Sequence, residues 1–150
     1  MKLVKAQSIL FALVLALCAS VSYAESQSAM LDANTATAEE IVGLPYMDEI
    51  MAEVIVNNRP FVTISEMDHL LSSDLDEEQL EELYGRLFVP IDLNNASREE
   101  ILLIPGIGGR MAHEFEEYRP YSDIEQFRRE IGKYVDEEEV ARLERYVTLD

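Results

Sequence analysis

The stretch with the most chemical content is Pro105-Gly106-Ile107-Gly108-Gly109-Arg110, which follows the apolar run Ile101-Leu102-Leu103-Ile104 and leads straight into another helix-compatible segment. Glycine tolerates positive φ and close backbone approach, and the first N–H groups of a helix have no partner inside it. A turn of this kind offers amide hydrogens to an anion, with Ile107 tucked between two helices and Arg110 adding positive charge beside them. The chemistry it predicts is the holding of an anion such as a phosphate rather than the making of bonds. Arg98, Arg119, Arg128, Arg129 and Lys133 lie in the same half of the chain and are candidates to supplement it. Two readings stay open at this point, an anion seat and a glycine turn that merely reverses the chain between helices. Each of the supporting cations also has acidic neighbours, so pairing or solvation competes with ligand binding.

Other chemistry is poorly represented. His69 and His113 have no ligand partners at metal-site spacing. The acidic runs Asp74-Leu75-Asp76-Glu77-Glu78 and Asp136-Glu137-Glu138-Glu139 lack the glycine and the ligand spacing of a calcium loop. They read as helix starts, where negative charge opposes the helix dipole. No nucleophile with a base and an orienting group can be assembled, so the sequence predicts neither catalysis nor a cofactor.

The elements that position the turn come from an internal repeat. Shifted by sixty positions, Leu31-Asp32-Ala33-Asn34-Thr35-Ala36 lies over Ile91-Asp92-Leu93-Asn94-Asn95-Ala96, and Arg59-Pro60-Phe61 lies over Arg119-Pro120-Tyr121, with no gap. Helix starts recur at the same offset as capping boxes: Thr37 with Glu40, Thr63 with Glu66 and Asp76 with Gln79, then Ser97 with Glu100, Asp123 with Gln126 and Asp136 with Glu139. Pro45 and Pro105 are expected to end the first helix of each repeat, and Arg59-Pro60 and Arg119-Pro120 the second. Apolar residues recur at helical spacing, as in Ile101, Ile104, Met111, Phe115 and Tyr118, and read as core. No strand alternation is long enough to compete. The expected fold class is all-α, with two tandem units of about four short helices each at 31–90 and 91–150, joined at Val89-Pro90.

Residues 1–24 read as a secretory signal peptide, with Lys2 and Lys5 ahead of an apolar run and Ser22-Tyr23-Ala24 at the cleavage position. A lipid anchor at Cys18 is the alternative. Cleavage leaves a short tail at 25–30, removes the chain's only cysteine, and predicts a periplasmic protein with no membrane span. The mature chain would hold ten basic and 30 acidic residues, a net charge of −20. Residues 25–90 carry 2 basic against 15 acidic residues, and 91–150 carry 8 against 15. Such a surplus of carboxylates opposes approach to a nucleic-acid backbone.

The Pro105–Arg110 turn, with Asp92-Leu93-Asn94-Asn95-Ala96-Ser97 before it and Tyr118-Arg119-Pro120-Tyr121 after it, resembles the helix-hairpin-helix repeat of the competence DNA-uptake receptor family, ComEA. The likeness covers 91–150 and extends more weakly to 31–90 through the internal repeat. It implies two tandem helix-hairpin-helix domains. It further implies that Gly106, Ile107, Gly108 and Gly109 hold a DNA backbone phosphate through their amides, with Arg110 in the place of the family's basic residue. The first repeat departs from the pattern: Pro45-Tyr46-Met47-Asp48-Glu49 has no glycine and places two carboxylates at the turn. Ser72-Ser73-Asp74-Leu75 also lacks glycine, and Ile131-Gly132-Lys133-Tyr134 keeps one glycine and a lysine. An extrinsic photosystem subunit family uses the same fold without nucleic acid, so fold alone does not imply DNA. The leading expectation is a non-catalytic accessory or scaffold protein whose acidic first repeat engages a basic protein surface. The alternative is sequence-independent binding of double-stranded DNA through the second repeat.

Overall fold

The computed structural model describes residues 30–149; the expected leader, Cys18 and the tail before Met30 lie outside the described residues. The described chain is mostly helical. Its elements are β1 (Leu31–Asp32), α1 (Ala38–Val42), α2 (Glu49–Asn57), α3 (Ile64–Leu71), α4 (Glu77–Tyr84), β2 (Leu87–Phe88), β3 (Ile91–Asp92), α5 (Arg98–Leu102), α6 (Gly109–Glu117), α7 (Ile124–Ile131), α8 (Glu137–Glu144) and β4 (Val147–Thr148). Every element of the second half stands sixty positions after its counterpart in the first.

The strands refine the purely helical expectation. β1 pairs in parallel with β2, and β3 with β4, so each half has its start fastened to its end. A two-residue strand carries no alternation, which is why inspection of the sequence finds none.

All six expected helix starts are capped: Thr37, Thr63, Asp76, Ser97, Asp123 and Asp136 each accept the backbone N–H three residues on. The reciprocal half of the box closes at Thr37, Asp76 and Ser97. Elsewhere it is redirected. Glu66 and Gln126 reach one residue further back, to the N–H groups of Val62 and Ser122. Glu139 is instead held by Arg142 through two contacts of 2.7 Å. The first helices stop at Val42 and Leu102, ahead of Pro45 and Pro105. Proline restricts the residue before it and brings no N–H, so regular helix ends short of it.

Loops are fastened by the Asp-x-Asn segments. Asp32 and Asp92 accept the N–H groups of Asn34 and Asn94 at 2.8 Å. The Asn34 amide then clasps the backbone of Phe61, and the Asn94 amide that of Tyr121, each through one donated and one accepted bond. Asp92 is held below the usual carboxylate range, chiefly by the side-chain hydrogen bond from Asn95.

The expected apolar positions are buried or packed against the core, and the buried residues form one cluster running through both halves. Val89, at the joint, is itself buried. Phe88 meets Tyr146 edge to face at 4.8 Å and Tyr84 at 6.0 Å, so aromatic packing crosses from one half to the other. Tyr84 also donates to Asp68 at 2.8 Å, and burial, reinforced by that bond, pushes its phenol up. Burying one such ring contributes roughly 2–3 kcal/mol of stability. Among the described residues no helix is long and apolar enough to cross a membrane.

Candidate functional site

Gly106 has φ +76°, the left-handed region that favours glycine. Gly108 is extended, with φ −97°, and serves as the N-cap of α6 without any side-chain hydrogen bond to the helix start. A Cβ at Gly108 would meet nothing within 4 Å, so of these two glycines only Gly106 sits where the backbone conformation favours glycine. Ile107 packs partly buried against the core, as its place between helices predicts, and its N–H donates to the Ile104 carbonyl at 3.0 Å. Arg110 is exposed, and among the described residues no ion pair holds it.

The amide of Gly106 already faces an anion. Its N–H donates to Oε1 of Glu81 at 3.2 Å, a carboxylate supplied by α4 of the other half. Between α3 and α4 on one side and residues 102–108 on the other lies an open groove of about 730 Å³. Asp68, Asp76, Glu77 and Glu81 give its first wall a negative charge. Sequence reasoning about the turn missed Glu81, because the contact joins residues 25 positions apart. One signal was present: the counterpart of Glu81 is Ala141, so the two halves differ at this place.

A second contrast lies beneath the turn. Nη2 of Arg142 stands 3.7 Å from where a Gly106 Cβ would sit. Its counterpart Glu82 accepts a hydrogen bond of 2.5 Å from the Tyr46 hydroxyl. Position 82/142 is therefore anionic under the first turn and cationic under the second. Tyr46 takes φ 62° where Gly106 takes its positive φ, so the first turn follows the same backbone path without glycine. For an L residue that conformation costs roughly 1–2 kcal/mol. At α2 the Asp48 carboxylate caps the helix through the Met51 N–H at 2.8 Å, placing a fixed negative charge where an outside anion would have to go.

The five supporting cations do not gather round the turn as free charges. Arg98 reaches it, donating to the Gly109 carbonyl at 2.7 Å, but its other nitrogen pairs with Glu116 at 2.5 Å. Arg128 pairs with Glu144 at 2.5 Å and Glu125 at 3.3 Å, and the Glu144 bond raises its pKa further. Arg129 pairs with Glu130 at 3.0 Å, and Lys133 pairs with the same carboxylate while lying 4.9 Å from the centre of the Tyr118 ring. The bond from Lys133 is the main reason Glu130 is held below the usual carboxylate range. Arg119 corrects the expectation most clearly. Its guanidinium is committed to the carbonyls of Leu93 at 2.6 Å and Ala96 at 2.7 Å, a structural brace rather than a ligand group.

The turn brings together its amides, with Glu81 on that of Gly106, and the exposed Arg110, while Arg142 lies close to Gly106 but is itself paired with Glu139 at 2.7 Å. No family profile, no curated protein and no solved structure matches the chain.

Proposed function

We propose that this chain is an exported, non-catalytic binding protein of two tandem helix-hairpin-helix units, acting as a periplasmic accessory or scaffold whose acidic first unit holds a basic protein surface. The observation that carries this reading is the allocation of charge. The first unit has 14 carboxylates against two cations, and four of the five cations suited to assist a phosphate contact in the second unit are paired with carboxylates of the same unit. Glu81 on the Gly106 amide adds a further negative charge where a phosphate would approach. Affinity for a nucleic-acid backbone depends on cations that neutralise phosphates and release counterions, and cations already neutralised contribute little of it.

The test is fluorescence anisotropy of the mature protein with duplex DNA. At about 150 mM salt no tight complex is expected. A tight complex that disappears in the Gly106→Asp, Gly108→Asp variant would overturn the protein-partner reading.

The second reading, DNA held by Gly106 to Arg110, draws on the uncapped start of α6 and the exposed Arg110 at its first turn. Under it, Glu81→Gln removes a competing carboxylate, so DNA affinity rises and falls steeply with added salt. Affinity that stays unchanged in Glu81→Gln excludes this second reading.

A further inference from the structure

We infer that the exposed face of α2 is a docking site for an amphipathic basic helix of a partner protein. This rests on the protein-binding reading and gives the partner its chemistry. Ile50 is 73% exposed and Val54 37%. Four residues apart, they lie side by side on one helical face. Leu70 of α3 joins them in lining a small groove of about 210 Å³ that Asp48 and Asp74 also line. One step round α2, Glu49 and Glu53 form a parallel acidic stripe along a second groove of about 330 Å³. The result is an apolar strip bordered by carboxylates.

The duplicated half provides an internal control. The counterparts of Ile50, Val54 and Leu70 are Arg110, Glu114 and Glu130, yet α6 and α7 have the same lengths as α2 and α3. The fold therefore does not require apolar residues at these places. Exposed aliphatic side chains that the fold does not need gain stability only when something covers them, and a helix presenting anchors at i and i+4 matches a strip of this shape.

Charge selects the occupant. Carboxylates bordering the strip favour a helix flanked by Lys or Arg. A second copy of this chain would bring the same carboxylates against them, under a net charge of −20 on each mature chain.

The test is calorimetry on the full mature chain with two synthetic peptides about five turns long, both made of Leu and Lys. One places Leu on a single helical face, and the other has the same composition in scrambled order. The amphipathic peptide is expected to bind at least about tenfold more tightly than the scrambled one. The variant Ile50→Arg with Val54→Glu installs residues the second half already tolerates, so its thermal unfolding stays close to the parent's while the preference for the amphipathic peptide disappears. Leu102→Arg, at an exposed apolar site of the other half, leaves the preference intact. Equal binding of both peptides, or an undiminished preference in the double variant, overturns the docking site while leaving a charge-driven protein contact standing. Failure of both peptides to bind removes the protein-binding reading as well. Self-association in sedimentation that the double variant abolishes would make a second copy the occupant and overturn the proposal.

Discussion

At the residue scale, Gly106, Gly108 and Tyr46 separate what a turn needs for its shape from what it offers a ligand. Gly106 and Tyr46 share a left-handed φ, one with the residue type that adopts it freely and one without. Gly108 has an ordinary extended φ and open space around its Cα. Gly106→Ala is therefore expected to lower stability by roughly 1–2 kcal/mol, whereas Gly108→Ala changes it by no more than about 0.5 kcal/mol. Urea unfolding monitored by circular dichroism checks both. Equal losses at the two sites would mean that the strain does not reside at position 106. The same contrast makes Gly108→Asp a clean functional probe, because an aspartate there copies the cap that Asp48 provides in the first half.

At the element scale, helix starts are where sequence chemistry and electrostatics coincide. The Glu40 carboxyl lies below its ordinary value chiefly through the backbone N–H of Thr37, with the Thr37 hydroxyl second, and Asp123 chiefly through the backbone N–H of Gln126. A lowered folded pKa stabilises the fold fully above the unfolded value, and that contribution is lost as pH falls through the folded pKa. Stability from these caps therefore declines below the ordinary values, 4.5 for Glu40 and 3.8 for Asp123, and not near neutrality. Carboxyl carbon chemical shifts followed against pH should give Glu40 a midpoint under 4.5, and Thr37→Ala should move that midpoint upward by removing the hydroxyl and loosening the box. A midpoint that stays in place in Thr37→Ala would show that the hydroxyl has no part in depressing it.

At the scale of the whole molecule, the continuous core decides whether two repeats behave as one body. Phe88 and Tyr146 come from the ends of the two halves and touch at 4.8 Å, with Val89 buried between the strands β2 and β3. Cutting that contact should reach both halves. Phe88→Ala is expected to destabilise by roughly 3–5 kcal/mol, and the parent to unfold in a single transition that is the same by circular dichroism and tyrosine fluorescence. Two separated transitions in the parent would show that each half holds itself together alone. Added salt should raise the midpoint by screening the self-repulsion of so acidic a chain.

Sequence alone determined the number and order of the helices, their six capped starts, the sixty-residue duplication and nearly all of the core. Those features are written in spacings of three or four residues, or in direct comparison of one half with the other, so they need no knowledge of what lies across the fold. Tertiary structure alone decided that Glu81 sits on the Gly106 amide, that Arg119 braces the carbonyls of Leu93 and Ala96, and that β1 closes on β2. It also decided that Ile50 and Val54 of α2 lie beside Leu70 of α3 along one groove. Each of these joins residues distant along the chain or turns on which face a neighbour covers, and helical periodicity places a side chain on a face without saying what that face will meet.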